Sequence, residues 1–149
     1  MEKPSRTTAA GSVGEGALKI RRAVLEAIVA HARAEAPLEC CGLLIGADGI
    51  VEEACPARNL DAAPTTFLID PADHFAAIRK ARAARRSVVG AYHSHPRSAA
   101  VPSATDRRQS HDAGFLQMIV SLADPAVPEV RAWWLDEAAP AEAGLTEIP

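Results

Sequence analysis

The sequence predicts an α/β fold, a mixed and largely antiparallel sheet flanked by helices. Three observations lead there. Two stretches with apolar residues at helical spacing alternate with short runs rich in β-branched and aromatic residues. The pair Asp48-Gly49 separates two of those runs, which is a hairpin signal. Two further runs, at 115–122 and 129–135, stand close enough in sequence to pair antiparallel. A length of 149 residues suits one domain, and 48% hydrophobic with 23% charged residues is the balance of a folded globular chain.

Each element follows from local chemistry. Residues 1–16 mix Pro, Ser, Thr and small residues without an apolar period, so they read as a mobile leader ahead of a domain over 17–149. From there Ile20, Val24, Ala27, Ile28 and His31 recur at helical spacing until Pro37, which predicts a helix over about 20–35. The runs 41–46 and 50–55 form the hairpin around Asp48-Gly49. The segment Thr65-Thr66-Phe67-Leu68-Ile69 reads as a strand, and Asp70-Pro71 then opens a second helix reaching Arg86. Its Arg79, Lys80, Arg82, Arg85 and Arg86 form a basic half, read as a solvated face that complements the helix dipole. Residues 87–95 are a strand ended by Pro96. A loop of small and polar residues leads to Ser103 and a short helix, and the runs 115–122 and 129–135 complete the sheet. No internal repeat is present.

Charge and cysteine content exclude several function classes. A net charge of −3 with a pI near 5.9 offers no electrostatic footprint for nucleic acid. No window reaches the roughly eighteen apolar residues of a membrane span, and the first twenty residues lack the apolar core of a signal peptide, so the expectation is a cytoplasmic protein with no membrane partner. Three cysteines, two of them adjacent, do not make a disulfide framework. Cys41 reads as a small buried hydrophobe. Cys40, on the opposite face, is expected to be exposed and oxidisable, and Cys55 has no partner at metal-ligand spacing. His31 falls on the apolar stripe of the first helix, and His74 and His111 lie in helical stretches. Trp133 and Trp134 alternate faces, one for the core and one for a surface or groove. No residue pattern specifies an oligomeric state.

The chemistry concentrates at residues 93–106. His93 and His95 stand two apart on a strand and therefore point to one face, where both imidazoles can meet one ion. Asp106 follows eleven residues later, across a loop with Pro96 and Pro102, enough chain to return and add an oxygen ligand. Two nitrogens and one carboxylate leave a fourth tetrahedral position open, the pattern of a catalytic rather than a structural zinc site. The same ligand types admit manganese or iron. Ser103-x-x-Asp106 has in addition the form of a capping box, a use of the Asp106 carboxylate that competes with metal binding.

Taken together, His93-Ser94-His95-Pro96, six spacers, Ser103 and Asp106 resemble the His-x-His-Pro-(six)-Ser-x-x-Asp signature of JAMM, or MPN-plus, metalloproteases. Pro37-Leu38-Glu39-Cys40-Cys41-Gly42 is similar to that family's Pro-x-Glu-x-Cys-Gly element. The likeness spans about residues 17–135 and is greatest to the compact prokaryotic branch. It implies a single MPN/JAMM-like domain. It also implies Zn2+ held by His93, His95 and Asp106, a water activated there, Glu39 as the general base and Ser103 as hydrogen-bond donor to the oxyanion. The implied partner is a small ubiquitin-like sulfur-carrier protein or a peptide, cleaved at an amide after the carrier's C-terminal glycine. A non-catalytic MPN-type interaction scaffold is the alternative, although a scaffold has no physical need of the full ligand set plus Glu39. A zinc deaminase is disfavoured because the chain lacks a Pro-Cys-x-x-Cys element.

Overall fold

The computed structural model describes residues 18–108, 115–135 and 139–149; the predicted leader and His111 lie outside these. In chain order the elements are β1 (Leu18–Arg21), α1 (Arg22–Glu35), β2 (Cys41–Ala47), β3 (Ile50–Ala57), α2 (Pro71–Ala83), β4 (Ser87–His95), α3 (Ala104–Arg108), β5 (Leu116–Ser121), β6 (Glu129–Trp134), β7 (Ala141–Ala143) and β8 (Leu145–Ile148). The strands make one mixed sheet in the order β7-β6-β5-β4-β2-β3-β1-β8. Pairing is antiparallel for β2–β3, β2–β4, β5–β6 and β6–β7, and parallel for β4–β5, β1–β3 and β1–β8.

The hairpin turns as its residues require. Asp48 and Gly49 both have positive φ, 56° and 78°, the pair of left-handed conformations that lets a two-residue turn follow the twist of its strands. On one face of the sheet α1 buries Val24, Ile28 and Ala32 against Leu44, Tyr92, Met118 and Val120. On the other, Leu43, Ala77 and Ala91 form a smaller cluster beneath α2. The centre of the sheet is therefore covered on both sides, and the first six residues of β2 and the last six of β4 are all buried.

Several expectations are corrected. The first helix starts at Arg22, because Ile20 and Arg21 belong to β1, and Ala27 is exposed. Residues 65–69 do not form a strand; Asn59 and Ile69 make an isolated bridge, and the Asn59 side chain takes up the backbone groups of Thr66 and Leu68 that a ladder would use. Cys40 does face away from Cys41, yet it is buried at 1% exposure, since α1 covers the face it enters. Two residues of the basic half are paired rather than free, Lys80 with Glu53 and Arg86 with Glu52 at 4.0 Å. No helix among the described residues is long and apolar enough to cross a membrane.

Candidate metal centre

β4 carries His93 and His95 to the α2 face of the sheet, as a two-residue period demands. In the β2–β4 ladder Cys41 is opposite His93. Continuing that antiparallel register two residues beyond the strand sets Glu39 opposite His95. Between them Gly42 stands opposite Tyr92 and lets the phenol lie across the strand: a Cβ there would sit 2.3 Å from the ring. Tyr92 itself points to the α1 face, where its hydroxyl meets His31 Nδ1 at 2.7 Å.

The third donor comes from the loop after β4, which is anchored on three sides. His95 Nδ1 donates to the Ala99 carbonyl at 2.8 Å, Ser121 Oγ donates to the Ser98 carbonyl at 2.6 Å, and Trp133 Nε1 donates to the Ala100 carbonyl at 3.0 Å. Trp133 is thus the buried member of the tryptophan pair, in a small cluster with Ala100, Ile119 and Leu135, while Trp134 is half-buried against the main core. The loop delivers Ser103 as the cap of α3. Asp106 N–H donates to Ser103 Oγ at 3.0 Å, and Ser103 N–H donates to Asp106 Oδ2 at 2.9 Å. Capping and metal binding are compatible after all, because the Asp106 oxygen that accepts from the cap also faces the two imidazoles.

His93 Nε2, His95 Nε2 and Asp106 Oδ2 lie 3.1–3.3 Å from one another, all on buried residues. Ligand bonds of about 2.0–2.1 Å in a tetrahedral zinc site place neighbouring donor atoms roughly 3.3–3.4 Å apart, so the spacing fits. Proton accounting agrees. Since His95 Nδ1 donates to a carbonyl, its Nε2 meets the Asp106 carboxylate through a proton or, in the neutral ring, through a metal ion between them. Burial pushes His93 down despite the Asp106 carboxylate. Burial also pulls His95 down, but hydrogen bonds to Asp106 and Ala99 outweigh it and raise the ring above its usual value. Burial would raise Asp106; the two imidazoles and the Ser103 amide instead hold it well below the carboxylate range.

Glu39 is the other charge-bearing group here. It is 4% exposed and its Oε1 has no hydrogen-bond partner among the described residues. Burial pushes its carboxyl up to about 7, opposed by His95 and assisted by Asp106. A buried carboxyl poised near neutrality with a free oxygen is suited to moving a proton. A cleft of about 660 Å³ opens beside it, lined in part by Leu38, Arg58, Asn59 and Leu60. The structure therefore brings His93, His95 and Asp106 together, with Glu39 across the ladder and Ser103 at the cap. One participant was not foreseen: Phe67 stacks on His93 with ring centroids 4.4 Å apart at 21°. Its aromatic, β-branched surroundings read as strand, and only the folded loop shows the ring's use.

Comparison with known proteins gives the chain its family. Residues 21–136 match the family described as prokaryotic homologs of the JAB domain. The chain belongs to this prokaryotic JAMM family. A relative named CysO-cysteine peptidase, from Mycobacterium tuberculosis, is 33% identical over 127 residues, covering 84% of this chain and 87% of the relative. A desampylase from Haloferax volcanii is 37% identical over 103 residues, covering 64% and 74%. The solution structure of a protein from Desulfitobacterium hafniense superposes with a TM-score of 0.82 at 33% identity, covering 88% of this chain and 92% of that one. The crystal structure of a JAB1/MPN domain protein from Archaeoglobus fulgidus superposes with a TM-score of 0.54 at 21% identity, covering 88% of this chain and 99% of that one, so this chain has the JAB1/MPN fold.

Proposed function

We propose that this JAMM protein is a zinc-dependent peptidase that hydrolyses the amide joining the C-terminal glycine of a small ubiquitin-like sulfur-carrier protein to an amino acid or a lysine side chain. The observation that carries the reading is the convergence of three donor atoms at 3.1–3.3 Å beside a buried, unpartnered Glu39. The names of the relatives, CysO-cysteine peptidase and desampylase, support the substrate class. A non-catalytic scaffold gives no account of a carboxyl buried without a partner, which is costly to keep.

His93, His95 and Asp106 would hold the zinc. When bound, that ion supplies Lewis acidity, polarising the scissile carbonyl and making a water acidic near neutral pH. Glu39 takes the proton of the attacking water at its free Oε1 and passes it to the leaving amine. Ser103 donates its hydroxyl proton to the developing oxyanion. Its Oγ already accepts from the Asp106 amide, which orients the O–H, and loss of such a donor costs about 3 kcal/mol of barrier. An extended tail fits a site at the end of a strand, and glycines at the scissile end let its backbone approach closely.

The test is to incubate zinc-loaded protein with a carrier–cysteine adduct and with an unrelated unfolded polypeptide, following both by intact mass. Release of cysteine from the adduct alone is expected. Digestion of the unfolded chain with the adduct untouched would assign the protein to general peptidases.

A further inference from the structure

The position of Glu39 raises a mechanical problem. β2 begins at Cys41, so the sheet ladder does not hold the backbone of Glu39. Its N–H donates to the Ala63 carbonyl at 2.9 Å, and its carbonyl accepts from Asn59 Nδ2 at 3.0 Å. Asn59 does more than this. Nδ2 also donates to the Thr66 carbonyl at 3.2 Å, while Oδ1 accepts from the amides of Asp61 and Leu68, both at 2.9 Å. A primary amide has two protons to give and two lone pairs to offer, and here all four are used. The two residues it grips on the far side, Thr66 and Leu68, flank Phe67, the ring stacked on His93.

We propose that Asn59 is a positioning residue: its amide replaces the ladder partner Glu39 lacks and, through Thr66 and Leu68, seats Phe67 on His93, fixing the base and a metal ligand relative to each other. This rests on the reading of Glu39 as the base. Neither Asn59 nor Phe67 touches the reacting atoms in this scheme. Asn59 acts by geometry, and Phe67 closes one face of the His93 imidazole to water.

Two variants separate its functions. Asn59→Asp keeps an acceptor for the Asp61 and Leu68 amides but turns a carboxylate oxygen toward the Glu39 and Thr66 carbonyls, releasing those two while the Leu68 end of the loop stays held. Asn59→Ala releases the Leu68 end as well. In each, kcat for carrier-adduct cleavage falls by about 10²-fold, the scale of an ångström's misplacement. KM stays within about threefold, because binding is not what is lost, and zinc content is unchanged. Amide hydrogen exchange is read in parallel, with Met118 in β5 as internal reference. Glu39 N–H keeps its Ala63 acceptor but exchanges about tenfold faster relative to Met118 in both variants, because opening of its segment no longer has to break the hydrogen bond at the Glu39 carbonyl. Leu68 N–H follows only in Asn59→Ala. Wild-type kcat in both variants overturns the proposal, as does equal acceleration at Glu39 and Met118, which marks general loosening. Should the wild-type protein not cleave the adduct, the function proposed above fails, and the exchange ratio alone decides the role of Asn59.

Discussion

Burial of Glu39 ties stability to pH in a direction that can be measured. Its carboxyl titrates near 7 in the folded chain against an ordinary 4.5, so an unfolded chain loses this proton first. Between those values the folded state binds more protons, and this group's contribution to stability falls as pH rises through the window. Metal-free Glu39→Gln should therefore be more stable than metal-free wild type at about pH 8, by up to ~3 kcal/mol, and equal to it below about pH 4.5. Denaturant titrations at the two pH values check this. The same variant, zinc-loaded, keeps its metal and loses most turnover, since a base is removed and no ligand is. Matched zinc content with undiminished hydrolysis would remove the role given to Glu39. The ligands predict the converse: a His93→Ala/His95→Ala double variant loses the metal, and elemental analysis finding full zinc there refutes the site.

Among the elements, the β2–β4 pair carries the site, and its closeness depends on a missing side chain. Gly42→Ala places a methyl 2.3 Å from the Tyr92 ring, which has no free space to enter because its hydroxyl is engaged with His31 under α1. The expected cost is about 1–3 kcal/mol of overpacking. The strain also bears on His93, the next residue in β4, so zinc affinity should weaken together with thermal stability. Calorimetry and metal titration on the one variant separate the two; full stability with full affinity would show that Tyr92 repacks freely. The 96–102 loop is held differently, by side chains reaching main-chain carbonyls from β4, β5 and β6. A loop fixed from three strands presents Ser103 and Asp106 without needing a ligand to order it.

Across the whole molecule, charge is uneven although the net value is only −3. Arg79, Arg82 and Arg85 remain exposed near the end of α2, while Lys80 and Arg86 tie that helix region to β3. An acidic carrier would be steered by the exposed three. Its kcat/KM should fall as salt shortens the Debye length through about 10 Å, with kcat little changed. Replacing the three arginines by alanine should flatten that dependence. A salt profile identical in the triple variant and wild type would assign them to solvation alone.

The convergence of His93, His95 and Asp106 was legible in the sequence because its causes are local. A two-residue strand period aims His93 and His95 one way, and a capping box turns the chain at Ser103 so that Asp106 comes back. The hairpin at Asp48-Gly49 was legible for the same reason, its turn conformation being a property of two residues. What the tertiary structure alone decided depends on distant partners. Leu18–Arg21 and Leu145–Ile148 are strands only because they pair with each other and, through β1, with β3. Residues 65–69 have strand composition, yet Asn59 offers their backbone a competing set of hydrogen bonds. Cys40 is buried because α1 lies over it, which no alternation pattern records. Glu39 was identifiable by motif, but its place opposite His95 and its shift toward neutral pH come from register and burial. Both arise only when remote segments of chain exclude water from the same few ångströms.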